Sequence, residues 1–213
     1  FFFFFYLAQA GDNIIVAKKI YGGATTLLTL TIKRFGITAK IFDCESVEDL
    51  EELIDDNTKA IFFETLSNPQ IAIANVEKIV QIADKHGVVT VADNTVATAI
   101  LFNPIKTGVD VVVHSASKYI SGQGLSVAGA IVAGEQLNKK LVGNKRYDHF
   151  NTADESYHGL VYADLAGAFD IYTLRIRLSL LRDIGATLSA FNAWQLIQGL
   201  ETLCIRAQAH CKN

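Results

Sequence analysis

The chain has 213 residues, half of them hydrophobic, with 19 basic and 22 acidic side chains and a net charge of -3. That length can bury a core as one domain, and the charge balance leaves no basic footprint for nucleic acid and no basic amphipathic stretch for a membrane surface. Small neutral or zwitterionic ligands suit it better, and three widely spaced cysteines, Cys44, Cys204 and Cys211, argue against a disulfide framework and for a reducing, cytoplasmic compartment.

The chain opens on five phenylalanines, residues 1–5, and contains no methionine, which reads as the mark of a fragment. This run lacks the basic start of a secretory signal and the about 20 apolar residues of a membrane span, so it is set aside from fold reasoning. From residue 13 onward, short apolar runs alternate with helical patterns, the signature of βαβ units on a mostly parallel sheet. Strands are expected at 13–17, 37–42, 60–63, 88–92, 109–113 and 128–133. Between the third and fourth, Val76, Ile79, Val80 and Ala83 recur at helical spacing and stop at Gly87, which marks a crossover helix. Two longer helical patterns follow at 163–183 and 188–211, separated by Gly185. The whole chain, 1–213, reads as one α/β domain.

Three expected strands end in polar residues: one at Glu64, one at Asp93, and one at His114, Ser115, Ser117 and Lys118. In a parallel sheet these endings share one edge, and open α/β sheets bind ligands in the crevice at that edge. A lysine beside a buried strand is expected to be poorly solvated, and such a lysine can lose its proton and act as a nucleophile. The plainer reading is a solvated loop residue, because lysine is almost never fully buried without a partner. A lysine and a strand-end aspartate suit a cofactor that needs a covalent anchor and a carboxylate opposite a pyridine nitrogen, which describes pyridoxal phosphate. Ser115 and Ser117 offer hydroxyls for its phosphate, and Tyr21 an aromatic face for its ring.

Other chemistries fit less well. The stretch Gly122-Gln-Gly-Leu-Ser-Val-Ala-Gly129 has the wrong glycine spacing for a dinucleotide fingerprint and precedes a strand instead of following one. There is no Walker loop and no Gly-x-Ser-x-Gly elbow, and the histidines and cysteines lack metal-ligand spacing, so no metal is expected.

Phe63-Glu-Thr-Leu-Ser-Asn-Pro69, Val91-Ala-Asp-Asn-Thr95 and Val113-His-Ser-Ala-Ser-Lys-Tyr119 resemble, in order, the signature segments of the cysteine/methionine-metabolism family of pyridoxal-phosphate enzymes. The resemblance runs from Leu7 nearly to the end of the chain. Within the family, Ser156-Tyr-His-Gly-Leu160, Leu181-Arg-Asp-Ile-Gly-Ala-Thr-Leu-Ser189 and Gln198-Gly-Leu-Glu-Thr202 are similar to the O-acetylhomoserine sulfhydrylase branch more than to cystathionine synthases or lyases.

The resemblance implies the large, cofactor-binding domain of a type I PLP-dependent transferase, aspartate aminotransferase-like, with a mostly parallel sheet flanked by helices. It implies that Lys118 anchors the cofactor covalently and moves protons, that Asp93 pairs with the ring nitrogen, and that Tyr21 stacks on the ring and takes part in catalysis. Ser115 and Ser117 would hold the phosphate, Asn68 the ring hydroxyl, and Glu64 would have a supporting role. The implied reaction is γ-replacement on O-acetyl-L-homoserine by sulfide, giving homocysteine and acetate. Cystathionine γ-synthase or methionine γ-lyase activity, or a non-catalytic cofactor-binding fragment, is the alternative. The substrate is a small amino acid and the full-length protein a homotetramer. The family's phosphate-gripping loop before Leu7, its N-terminal arm and its C-terminal domain are read as missing, and Gln123 stands where relatives often carry histidine.

Overall fold

A computed structural model describes residues 6–213, so the phenylalanine run set aside above lies outside the described residues. Six strands form one sheet in the order β2-β1-β3-β4-β5-β6: β1 Asn13–Ala17, β2 Thr38–Phe42, β3 Thr58–Glu64, β4 Val89–Asp93, β5 Val111–Ser115 and β6 Gly129–Ala133. Every pairing is parallel except β5 with β6. All six expected strands are present, β1 with the expected bounds and the other five with shifted ends. β5 begins two residues late, where the buried Asp110 turns its carboxylate to Thr90, and runs on to Ser115 because antiparallel β6 pairs with it that far.

The interior strands are near-continuous apolar runs because helices cover both faces of a parallel sheet. In β1 and β3, Ile14, Ile15, Val16, Ala60, Ile61, Phe62 and Phe63 are all buried. The crossover helix α1, Val76–Lys85, starts where the Asn75 side chain accepts a hydrogen bond from the Lys78 N–H, buries Val76, Ile79, Val80 and Ala83, and stops at Gly87, whose φ of +62° suits glycine. Below the sheet, the fully buried Tyr147 hydroxyl donates to the Lys59 carbonyl and accepts from the Val89 N–H, joining β3 to β4.

The helical pattern expected at 163–183 is instead broken. A 3-10 turn at Tyr162–Leu165 precedes Gly167, and a new helix, Ile171–Ile176, starts where the Asp170 carboxylate caps the Tyr172 and Thr173 N–H groups. The final pattern forms as α2, Ala190–Lys212, capped by Ser189. α2 crosses the loop after β5 at Gly199, where an added Cβ would sit 2.2 Å from the Ile120 carbonyl oxygen. Only glycine permits that approach, and it places α2 directly against the loop that carries Lys118. No helix among the described residues is long and apolar enough to cross a membrane.

The Arg175 guanidinium lies over the rings of Tyr6, Phe150 and Tyr162 at 5.7, 5.4 and 5.7 Å, tying the start of the described chain to its later helices. His149 joins the same cluster, with Nε2 2.6 Å from the Tyr6 carbonyl oxygen. Burial, helped by the Arg175 charge, pulls its pKa down to about 4. The unfolded chain therefore takes up a proton that the folded chain refuses. This contribution to stability is complete above about pH 6.5 and is lost as pH falls toward the folded value. Urea midpoints of the wild type should fall between roughly pH 6.5 and 5, before carboxylates titrate, and those of His149→Gln should fall less steeply. Equal slopes in both proteins would refute this assignment.

Candidate cofactor site

The parallel strands β1, β3, β4 and β5 all end at one edge, and a cavity of about 470 Å³ opens there. Its lining includes Tyr21, Glu64, Asn68, Asp93, Ser115 and Lys118. Five of the six site residues expected from sequence thus share one cavity, and the sixth, Ser117, is not among its lining. The Ser117 hydroxyl donates to the Ala128 carbonyl at 3.3 Å and accepts from the Ala128 N–H at 2.9 Å, which ties the Lys118 loop to the start of β6.

Register explains the convergence. Glu64 on β3 lies beside Asp93 on β4, and Asp93 beside Val113 on β5, so two carboxylates occupy neighbouring places in one row. Each has its own partners. Glu64 is 5% exposed; its Oε1 accepts from the Tyr21 N–H at 2.7 Å and its Oε2 from the Asn68 N–H at 3.2 Å. Burial pushes the Glu64 carboxyl up, and the Asp93 charge pushes the same way, while the two backbone donors oppose them. Asp93 uses Oδ1 twice, accepting from the Thr95 N–H at 2.9 Å and from the Thr95 hydroxyl at 2.5 Å. Its Oδ2 carries no hydrogen bond recorded among the described residues, so half of the carboxylate is free for a ligand.

Thr95 went unnoticed in the sequence. Its hydroxyl also accepts from the Ser115 N–H at 2.8 Å, so one oxygen joins the end of β4 to the end of β5. The Asp-Asn-Thr spacing is the available signal, since an aspartate often bonds the backbone two residues on. The link to Ser115 depends on strand pairing, which no local pattern shows.

Lys118 corrects one expectation. It is exposed, not buried, and sits on the cavity rim with Nζ 3.4 Å from Ser115 Oγ. The loop leaves β5 at the open edge of the sheet, beyond the apolar layer, so the side chain emerges into solvent. Tyr21 is also largely open, at 57% exposure, and Asn68, whose bond to Pro69 is cis, is likewise exposed. His114, next to the site, keeps a buried Nδ1 without a partner among the described residues, and burial lowers its pKa. No cluster of three metal-ligating side chains occurs among the described residues.

The donor set fits pyridoxal phosphate: a primary amine, a carboxylate with one free oxygen, an aromatic ring and a hydroxyl face one space large enough for a small heteroaromatic ring. A sequence model of the Cys/Met metabolism PLP-dependent enzyme family matches residues 2–213. An O-acetyl-L-homoserine sulfhydrylase from Corynebacterium glutamicum is 39% identical over 210 residues, covering 97% of this chain and 48% of that protein. A homocysteine/cysteine synthase from Saccharomyces cerevisiae is 39% identical over 208 residues, covering 97% and 46%. The chain thus spans about half the length of the curated relatives it matches. A crystal structure of a Campylobacter jejuni protein, described as an O-acetylhomoserine (thiol)-lyase with an N'-pyridoxyl-lysine-5'-monophosphate residue, superposes with a TM-score of 0.93 at 53% identity, over 96% of this chain and 50% of that one. A cystathionine gamma-lyase from Lactobacillus plantarum matches with a TM-score of 0.72 at 29% identity, over 95% and 44%.

The Thr95 bridge gives a direct test. Thr95→Val leaves the Ser115 N–H without an acceptor and takes one donor from Asp93, at a cost of about 1–3 kcal/mol, whereas Thr95→Ser keeps the hydroxyl and most of the stability. Urea denaturation of the two variants measures the difference, and equal losses would contradict the bridging role.

Proposed function

The chain belongs to the Cys/Met metabolism PLP-dependent enzyme family, and from that premise we propose that it is the cofactor-binding large domain of an enzyme making homocysteine and acetate from O-acetyl-L-homoserine and sulfide. The observation that carries this reading is the meeting of Lys118, Asp93, Tyr21 and Ser115 in one cavity at the carboxyl edge of the sheet. The sulfhydrylase and homocysteine synthase names of the relatives support the choice of reaction.

In this reading Lys118 Nζ would anchor the cofactor covalently and carry protons from the substrate's α and β carbons. Bound pyridoxal phosphate supplies a ring that draws off the negative charge left on carbon when those protons go. The free Oδ2 of Asp93 would serve the pyridine nitrogen and favour its protonated form. At an effective dielectric near 20, opposite charges about 4 Å apart attract by about 4 kcal/mol, enough to keep that proton in place at neutral pH. Thr95 holds the carboxylate in its aim. Tyr21 would cover one face of the ring, and Asn68 would meet the ring hydroxyl. Ser115 would offer its hydroxyl to the phosphate, and Ser117 would join it on turning away from Ala128. The exposure of Lys118 leaves room for the amino-acid substrate to reach it.

We further read the full protein as a cytoplasmic homotetramer. Three free cysteines suit a reducing compartment. The α2 side chains Phe191, Trp194, Ile197, Leu200 and Ile205 are each about half exposed or more, and so large an apolar surface suits contact with another domain or subunit.

Supplied with O-acetyl-L-homoserine, sulfide and pyridoxal phosphate, the protein should form homocysteine, and Lys118→Ala should lower the rate at least about a hundredfold. Release of a keto acid from methionine, without homocysteine formation from the first pair, would replace this reading by a γ-lyase.

A further inference from the structure

The sheet order places β1 between β2 and β3, so the chain leaves β1 toward one side of the sheet and leaves β3 toward the other. Two loops diverge there and leave a gap, the place where open α/β sheets take their ligands. Tyr21 stands on the first loop, four residues past β1, and Asn68 on the second, four residues past β3. One side chain spans the gap. The Glu64 carboxylate accepts the Tyr21 N–H on one oxygen and the Asn68 N–H on the other.

We propose that Glu64 is a positioning residue: it fixes Tyr21 and Asn68 relative to each other at the cavity and so sets how a ring stacked on Tyr21 is presented to the Asn68 side chain. The claim that this cavity serves the cofactor rests on the functional reading above; the claim that Glu64 holds the two loops does not.

The chemistry is specific to a carboxylate. Both partners are donors, so the bridge needs an acceptor at each end. Glutamine has the same shape but only one acceptor, and its NH2 group would face one backbone N–H donor to donor. Two donors held face to face are unfavourable, so the loop that loses its bond must shift or turn its N–H to water. Tyr21 leans on this tether, because its ring is largely exposed and the other ties of its loop, from the Lys18 N–H to the Phe42 carbonyl, from Lys19 to Glu45 and through the buried Ile20 side chain, all precede it. Glu64 is a costly residue for such a place, since it sits beside Asp93 in the same row of the sheet.

Amide hydrogen exchange followed by NMR on the cofactor-free chain tests the bridge. Glu64→Gln should speed exchange by roughly tenfold to a hundredfold at one of the two amides, Tyr21 or Asn68, and Glu64→Ala at both, with Ile61 and Phe62 in mid-strand unchanged. In the same variants the affinity for pyridoxal phosphate should fall by roughly tenfold. The circular dichroism induced in the bound chromophore, per molecule bound, should also change, which a plain loss of stability would not produce. Wild-type exchange at both amides in Glu64→Ala, or an equal rise along all of β3, would overturn the proposal. A wild-type chain that binds no pyridoxal phosphate would refute the functional reading, while the exchange data would still decide the role of Glu64.

Discussion

The parallel register of β3, β4 and β5 is the constraint on which the rest of the structure depends. Because Glu64, Asp93 and Val113 stand in one row, the turns that follow them must share a small volume, and every polar group entering it meets its neighbours. Two carboxylates in adjacent places would repel, and the site resolves this by giving each a separate set of donors. Glu64 takes two backbone N–H groups from loops that part to opposite sides of the sheet, and Asp93 takes the Thr95 N–H and hydroxyl. The result leaves one Asp93 oxygen free toward the cavity, the arrangement that a protonated ring nitrogen requires.

Behind this edge, structural contacts hold the Lys118 loop in place. Ser117 fastens it to β6, and Gly199 lets α2 come close enough to support it. Further contacts come from Ser126, which donates to Gln195 of α2 at 2.6 Å, and from Tyr119, which meets the His210 ring edge-on at 5.5 Å. Lys118 is thus carried on a braced loop while its own side chain stays open to solvent. A braced backbone under a free amine suits a group that must both hold a ligand and move protons between its atoms.

Much of this could be read from the chain. The strands were legible because fully buried parallel strands are nearly uninterrupted apolar runs, and the site edge because three of them end abruptly in polar residues. What depends on distant pairing was not. The Thr95 bridge to Ser115 exists only once β4 and β5 lie side by side, and the double grip of Glu64 only once β1 and β3 do. The exposure of Lys118 reflects how far its loop projects past the sheet, which the adjoining apolar residues do not reveal. The broken helix after residue 163 follows from Asp170, whose capping power outweighed the apolar spacing around it. Ser117 shows the converse: its place in a family motif suggested a ligand, and in this structure its hydroxyl is bonded to Ala128.

The role proposed for Lys118 is to carry pyridoxal phosphate in the cavity formed by these strand ends. Incubation with the cofactor, reduction with borohydride, and peptide mass mapping probe that role. One pyridoxyl-phosphate group per chain is expected, located on Lys118 and lost in Lys118→Ala. Labelling spread over the surface lysines, or unchanged in that variant, would contradict it.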